Sequence, residues 1–445
     1  MARSGQLVAR LFNVEQDEAP AVLAGLLMFF FLFTGYFMLR PVRETMGVAG
    51  GVDNLQWLFS ATFVATLLAL PLFGWLASRV ARRRLLPWTY GFFGLNLLAF
   101  AAGFMFVPDN LWLARAFYVW LSVFNLLSIS LAWSVLADIF VSGQARRLFA
   151  LMAGGASLGG LTGPLLGTVL VAPLGHAGLL LLSAGCLVAS TLAAAGLQRW
   201  REARPVAGDS DEATLRRKPL GGNPFSGATE VFRSKYLMGI ALFVVLLTSV
   251  STFLYFEQAR LVAETFTDRT RQTQVFGLID TVVQTLAILT QLFLTGRVAQ
   301  RLGVGVLLVL VPLLVAVGFL WLALSPVFAV FVVVMVVRRA GEYAFVRPGR
   351  EMLYTVVSPI QKYKAKNFID TVVYRGGDAL SAWVKRGLDL LAEHPAAAMF
   401  IGAGIALGWA ATGGMLGRAH RRQERKGAWD RVNAKRDTMR ASRRP

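Results

Sequence analysis

The composition of this 445-residue chain excludes an ordinary soluble protein. Hydrophobic residues make up 56% of it and charged residues only 16%, whereas soluble domains carry roughly a quarter charged residues. The net charge of +20 does not indicate nucleic-acid binding, because the lysines and arginines gather in short clusters beside apolar stretches rather than on one basic surface. We therefore expect a helical membrane protein that contacts lipids and no nucleic acid.

Apolar stretches of bilayer-spanning length recur along the chain. A transmembrane helix needs about 20 predominantly apolar residues, and a hydropathy window of that order predicts twelve such helices. We number these spans 1 to 12, and they cover residues 21–42, 55–78, 85–107, 111–139, 148–172, 177–197, 236–258, 270–295, 303–324, 326–346, 364–388 and 396–417. The predicted fold class is an all-α membrane protein with twelve transmembrane helices.

The loops between these spans alternate in charge and so predict the orientation. Clusters of Lys and Arg follow spans 2, 4, 8 and 10, whereas the short loop 107–110 between spans 3 and 4 carries no Lys or Arg. Since cytoplasmic loops carry the excess of basic residues, both termini should be cytoplasmic, and we expect the bacterial inner membrane. The predicted parts are an N-terminal six-helix half (1–197), a cytoplasmic linker (198–235), a C-terminal six-helix half (236–417) and a basic cytoplasmic tail (418–445).

A repeat with an offset of about 218 positions relates the two halves. Leu72–Arg82 is similar to Leu292–Arg301, and Arg147–Gly155 is matched by Lys366–Gly377. Two parallel six-helix repeats around a central site are the architecture of major facilitator transporters. The basic loop Gly74–Arg84 also resembles the motif of that superfamily between helices 2 and 3. The sequence therefore predicts a major facilitator-like fold.

Ionisable residues inside the predicted spans are the main pointers to function. Each costs several kcal/mol at mid-bilayer unless it faces a partner or a wet cavity. Guanidinium groups suit phosphate or carboxylate oxygens, so we interpret the cations as ligands of an anion: Arg40, Arg43, Arg338, Lys366 and Arg375. The acids that would balance charge or couple protons are Glu44, Asp280, Glu342, Asp370 and Asp378.

The alternative is that these charges serve structure alone. Arg40 and Arg43 could extend to the outer headgroup layer, and Asp280 could form a structural pair between helices. Arg338 and Glu342, four residues apart, could neutralise each other within one helix, as could a similar pair in span 11.

Motifs of catalysis and metal binding are absent from the sequence. It has neither a Walker-type phosphate loop nor a Gly-x-Ser-x-Gly elbow. The single cysteine, Cys186, can build neither a disulfide within the chain nor a cysteine-based metal site. Gly154, Gly155, Gly159 and Gly160 fit close helix packing better than a phosphate loop. We expect a protein that is not an enzyme and has no cofactor.

The charged clusters resemble those of the ATP/ADP antiporter family, nucleotide transporters with a major facilitator-like fold. The similar segments are spread over most of the chain and are Leu39–Glu44, Ala137–Asp138, Arg147–Gly155, Arg350–Tyr354, Lys364–Asp370 and Arg375–Gly377. The resemblance implies that Arg43 and Lys366 face a polyphosphate in a central cavity. Ser122 stands where that family has an acidic residue early in span 4.

These observations favour a secondary transporter that works by alternating access and moves an anionic or phosphorylated metabolite, with ATP/ADP-like nucleotide exchange as one candidate. Its partners would be that small anion, membrane lipids and a proton as coupling ion. One alternative is a proton-coupled exporter of amphipathic compounds or lipids, which needs a mostly apolar cavity and one carboxylate such as Asp280. Another is a membrane scaffold that has kept the fold and lost transport, because fold alone does not establish function.

Overall fold

The computed structural model describes residues 14–15, 17–140, 142–203, 227–391 and 395–441, and these residues are almost entirely helical. Residues 204–226 of the predicted linker and 442–445 of the predicted tail lie outside the described residues.

The first six spans follow the predicted order. Span 1 is the helix Ala19–Ala49, span 2 is Leu55–Arg79, span 3 is Arg82–Phe106 and span 4 is Leu111–Ile139. Spans 5 and 6 lie in Ser142–Glu202, where Gly175 breaks the helix with a φ of 65°. Only glycine adopts this left-handed backbone without strain, so the break falls in the gap predicted between the two spans.

The last six spans are helical as well, and three of them contain a π-helical turn among the described residues. Span 7 is Lys235–Thr265 and span 9 is Val304–Leu324. The interrupted spans are span 8, with Arg269–Thr290, the π turn Gln291–Thr295 and Gly296–Leu302; span 10, with Phe328–Gly341, the π turn Glu342–Val346 and Arg347–Leu353; and span 11, with Pro359–Phe368, the π turn Ile369–Val373 and Tyr374–Leu391. Span 12 is Pro395–Ala441 and continues as a helix far into the predicted tail.

Nine helices among the described residues are long and apolar enough to cross a membrane. One of them, Arg147–Glu202, contains both span 5 and span 6. Spans 10 and 11 are not among the nine, because charged residues interrupt their apolar runs. The predicted all-α membrane fold is confirmed.

The chain forms two compact units. The first comprises Met1–Gly222 and Ala259–Gln284, and the second comprises Asn223–Gln258 and Thr285–Pro445. The end of span 7 and the first half of span 8 thus pack with the N-terminal spans. The boundaries of the sequence repeat stay a prediction.

Spans 1 and 5 approach each other through glycines spaced one turn apart. A Cβ atom added to Gly155, Gly159, Gly163 or Gly167 would lie 2.1, 2.5, 2.7 or 3.0 Å from a main-chain oxygen of span 1. Those oxygens belong, in the same order, to Leu26, Phe30, Thr34 and Met38. Close packing by small residues is typical of membrane helices, and here it lets two backbones touch.

A similar contact recurs at the start of spans 5 and 11. In the first unit, Gln144 donates a hydrogen bond of 2.9 Å to Glu18, the buried residue before span 1. Arg147 also donates to Glu18, at 2.8 Å. In the second unit, Gln361 donates at 3.4 Å to Glu230, which lies just before span 7. The two contacts occupy corresponding places in the predicted repeat and so agree with it.

Candidate functional site

The two arginines late in span 1 have partners within the first unit. Arg40 Nε lies 3.6 Å from Asp280 Oδ2 of span 8. The Arg43 guanidinium stacks 3.7 Å above the centre of the Tyr118 ring and donates from Nε to the Tyr118 carbonyl at 3.1 Å. Its Nη1 donates to Glu44 Oε1 at 3.1 Å. Span 4 thus holds Arg43, and span 8 supplies the counter-charge for Arg40.

Burial distinguishes these arginines from surface residues. The side chains of Arg40 and Arg43 are only 22% and 17% exposed, and that of Asp280 is 5% exposed. Both arginines therefore contact protein groups within the first unit. An ion pair between spans 1 and 8 can stabilise the protein and can also open when a substrate anion competes for the guanidinium.

In the second unit, Glu342 joins two arginines of span 10. Arg338 Nη1 donates to Glu342 Oε2 at 3.1 Å and to Ser251 Oγ of span 7 at 2.6 Å. Arg347 donates to the other oxygen, Glu342 Oε1, at 3.3 Å from Nε and 3.2 Å from Nη2. The Arg347 guanidinium also lies 4.3 Å above the Tyr343 ring. The ion pair between Arg338 and Glu342 that their spacing suggests is present. The same Glu342 carboxylate also binds the guanidinium of Arg347.

Two further ion pairs join the end of span 10 to the start of span 11. Lys366 Nζ lies 2.6 Å from Glu351 Oε2, and Arg350 Nη2 lies 3.2 Å from Asp370 Oδ1. Tyr354 is fully buried beside them, and its hydroxyl has no hydrogen-bond partner among the described residues. Lys366, which the family resemblance singled out, is thus held by an acid of the neighbouring span.

The last predicted pair lies within span 11. Arg375 Nη1 is 3.8 Å from Asp378 Oδ2, three residues further along the helix. The two side chains are 27% and 15% exposed. At this distance the contact is a loose ion pair rather than a hydrogen bond, so Arg375 can turn toward another anion at little cost.

Side chains in the π turn of span 8 donate hydrogen bonds to main-chain carbonyl groups in the π turn of span 10. Gln291 Nε2, in the turn of span 8, donates to the Tyr343 carbonyl at 2.9 Å, and Thr295 Oγ1 donates to the Ala344 carbonyl at 2.8 Å. Both carbonyls belong to the π turn of span 10, whose widened ladder frees them. The turns of spans 10 and 11 also contain the acids Glu342 and Asp370, and π turns are frequent at functional sites.

Cations outnumber acids in this region of the second unit. Between Arg338 and Asp378 the sequence has eight Lys or Arg residues and four Asp or Glu residues, and each of the four acids already contacts a cation. Arg338 and Arg350 each have a buried Nε atom with no hydrogen-bond partner in the described parts of the chain. The region can therefore accept an anion with several oxygens.

Sequence reasoning missed an uncharged partner in each group. Tyr118 and Ser251 carry no charge, and a tyrosine or serine within an apolar span gives no hydropathy signal. The stacking of Arg43 on Tyr118 depends on how spans 1 and 4 are rotated, which composition does not fix.

Buried ion pairs within a bundle of membrane-spanning helices are typical of secondary transporters. The sequence profile of the Major Facilitator Superfamily matches residues 22–268, which is more than half of the chain. The chain belongs to the major facilitator superfamily. It is a multi-pass membrane transporter of that type.

Solved transporter structures have the same fold. A bacterial homologue of the human lysosomal transporter Spinster, in an inward-facing and unoccupied conformation, superposes with a TM-score of 0.59 at 15% identity over 92% of this chain and 98% of its own. A bacterial homologue of the iron transporter ferroportin, in an inward-facing state, gives 0.62 at 14% identity over 89% and 98%. A POT family transporter in complex with a thioalcohol-conjugated peptide gives 0.62 at 10% identity over 88% and 94%.

At such identities the likeness shows the fold alone. A search of curated proteins gives no match. These comparisons show the superfamily but not the ATP/ADP antiporter family, so that resemblance stays a hypothesis.

Proposed function

We propose that this transporter moves an anionic or phosphorylated metabolite by alternating access, and that a nucleotide is the leading candidate. The observation that carries the proposal is that the buried Nε atoms of Arg338 and Arg350 have no hydrogen-bond acceptor among the described residues. A buried charge is tolerated only when it is paired and hydrogen-bonded. A substrate with several oxygens would supply the missing acceptors.

The carboxylates explain how such a site can open and close. Glu342 uses both oxygens to hold Arg338 and Arg347, as a phosphate would, because guanidinium forks suit phosphate and carboxylate oxygens alike. A phosphate carries more charge than a carboxylate and can displace it. The acids then act as exchangeable partners that keep the arginines neutralised between substrates.

The roles follow from this exchange. The proposed substrate ligands are Arg40, Arg43, Arg338, Lys366 and Arg375. The proposed partners in charge balance or proton coupling are Glu44, Asp280, Glu342, Asp370 and Asp378. The resemblance to the ATP/ADP antiporter family supports nucleotide exchange. The charge pattern of the loops supports cytoplasmic termini, and the membrane we propose is the bacterial inner membrane.

Thermal unfolding of the purified protein tests the proposal. The panel comprises ATP, ADP, a nucleotide sugar, glucose 6-phosphate, pyrophosphate, citrate and a hydrophobic cation. A bound ligand at a hundred times its Kd should add about 2.7 kcal/mol to the free energy of unfolding. We expect stabilisation by a phosphorylated anion that is lost in Arg338→Gln.

Matched variants distinguish loss of substrate binding from the general effect of removing one positive charge. Arg83→Gln removes the same charge from a side chain that is 73% exposed and pairs with Glu202, so it should keep the response. Among the ion pairs of the described residues, Arg375→Gln removes the loose one with Asp378, and this variant tests the site if Arg338→Gln fails to fold. No response to any anion would overturn the proposal: stabilisation by the hydrophobic cation would indicate an exporter, and no response at all a scaffold.

A further inference from the structure

A surface cavity that the proposed function does not use lies near the end of the apolar part of span 12. Its volume is about 490 Å³, and the described residues that line it are Met415, Arg418, Ala419, Arg422 and Gln423. Arg418 is the first charged residue after the apolar stretch of this span. Met415, one turn earlier, is apolar and 54% exposed. The cavity therefore has an apolar end and a basic end.

The two arginines of the cavity have no counter-charge in the described parts of the chain. Glu424, the acid nearest to them in the sequence, pairs with His420 instead. Arg418 and Arg422 are four residues apart, so they lie on the same face of the helix and repel each other. An anion placed between them would remove this repulsion.

The Arg418 side chain is turned toward the apolar part of the span. Its Nε donates a hydrogen bond of 3.3 Å to the carbonyl of Gly414, which lies one turn earlier. An arginine at the end of a membrane span more commonly extends its charged group away into water. Since Arg418 and Met415 line the same cavity, charged and apolar surfaces adjoin here, as they do in a phospholipid.

The apolar end continues along span 12 as an open furrow. In steps of three or four residues back from Met415, the same face carries Ala411, Gly408 and Gly404, each at least partly exposed. A Cβ atom added to Gly408 or Gly404 would meet no atom within 4 Å. From Gly404 to Met415 the furrow is about 16 Å long at 1.5 Å per residue, and the hydrocarbon part of one leaflet is about 15 Å thick. One acyl chain thus fits its length.

The face of span 12 that packs against span 9 is a different one. A Cβ atom added to Gly417 would lie 2.5 Å from the Cα of Gly305, and one added to Gly413 would lie 2.7 Å from the carbonyl oxygen of Leu308. Span 9 therefore does not cover the arginine pair. A second copy of the chain fits poorly, because a two-fold contact brings the same patch of both copies together and would set arginine against arginine.

We propose that this face of span 12 binds one anionic phospholipid. Its phosphodiester lies between Arg418 and Arg422, because guanidinium forks suit phosphate oxygens. One acyl chain follows the furrow past Met415 and Gly408. Basic clusters directly beyond a membrane span are typical binding sites for anionic headgroups. The site needs no substrate and is independent of the proposed function.

The test compares two lipids with the same acyl chains, phosphatidylglycerol and phosphatidylcholine, added to the full-length, delipidated protein in detergent. We expect phosphatidylglycerol to raise the Tm at a lower concentration than phosphatidylcholine. The double variant Arg418→Gln/Arg422→Gln should need about 30-fold more phosphatidylglycerol for the same rise, at about 1 kcal/mol per arginine and 1.4 kcal/mol per tenfold change. Its response to phosphatidylcholine should equal that of the wild type.

Two controls make the result specific. Arg421→Gln removes the same charge at the adjacent position, on the face toward span 9, where a Cβ atom added to Gly305 would lie 3.9 Å from Arg421 Nη2; it should keep the wild-type response. Glycerol 3-phosphate carries the phosphate without acyl chains and should act equally on the wild type and the double variant. Native mass spectrometry should find one phosphatidylglycerol retained by the wild type and none by the double variant.

Three results would overturn the inference. Equal responses to both lipids, or an equal loss of response in Arg421→Gln, would reduce the effect to general charge. Stabilisation by glycerol 3-phosphate that the double variant loses would show a site for a free phosphate ester. A dimer in detergent that Gly408→Leu converts to a monomer would show that a second copy covers this face. Each result leaves the proposed function standing, because Arg418 and Arg422 are not among its substrate ligands.

Discussion

Replacing Gly155 by alanine should destabilise the first unit by forcing spans 1 and 5 apart. The new Cβ atom would lie 2.1 Å from the carbonyl oxygen of Leu26, 3.0 Å from its carbonyl carbon and 3.2 Å from its Cα. All three atoms are main-chain atoms, so no side-chain rotation can relieve the contact. Carbon and carbonyl oxygen normally approach to about 3.3 Å, so the helices must separate by about 1 Å.

The magnitude follows from two opposing effects. Overpacking of a close contact costs about 1 to 3 kcal/mol, and separating the helices also weakens the contacts at Gly159 and Gly163. Alanine favours a helix over glycine by about 1 kcal/mol, which offsets part of the loss. We expect a net destabilisation of about 1 to 2 kcal/mol.

Thermal unfolding in detergent, followed by tryptophan fluorescence, measures the effect. Gly154→Ala is the matched control, because no atom lies within 4 Å of a Cβ added to Gly154. It carries the same gain in helix propensity without the clash and should be as stable as the wild type or slightly more stable. Equal Tm values for Gly155→Ala and Gly154→Ala would refute backbone contact as the reason for glycine at position 155.

Three other changes test contacts that join spans. Glu342→Gln should lower the free energy of unfolding by about 3 to 5 kcal/mol, because two arginines lose their carboxylate; an unchanged Tm would mean that they are neutralised elsewhere. Glu18→Gln should cost about 1.5 to 3 kcal/mol, because charged hydrogen bonds to span 5 are lost, and denaturant unfolding would show no change if the segment before span 1 were unimportant. Thr295→Val leaves the Ala344 carbonyl without its donor and should cost about 1 to 3 kcal/mol in thermal unfolding, unless another donor replaces the threonine.

The fold could be predicted from sequence because membrane insertion depends on the summed hydropathy of about 20 residues. Spans 10 and 11 contain too many charged residues to count among the nine apolar helices. The apolar residues that flank those charges still predict them as spans. The break at Gly175 fell between two predicted spans. The helix of span 12 extends to Ala441, beyond the predicted end at 417, because a basic polar sequence gives no hydropathy signal whether or not it is helical.

The partners of the charged residues were less accessible to sequence reasoning. Pairs within one helix, such as Arg338 with Glu342, follow from their spacing. The contact of Arg40 with Asp280 joins positions far apart in the chain, and it depends on the rotation of spans 1 and 8 about their axes. Arg350 and Asp370 meet across spans 10 and 11, and the π turns in both spans change which residues share a face.

The π turns have a consequence for the length of the chain. Each holds one residue more than the same stretch of regular α-helix, so the turns at 291–295, 342–346 and 369–373 are places where a span can lose a residue and become a plain helix. A single deletion elsewhere in a span would rotate every later side chain by about 100°. Alignments of distant transporters with this chain should therefore place one-residue gaps at these three turns.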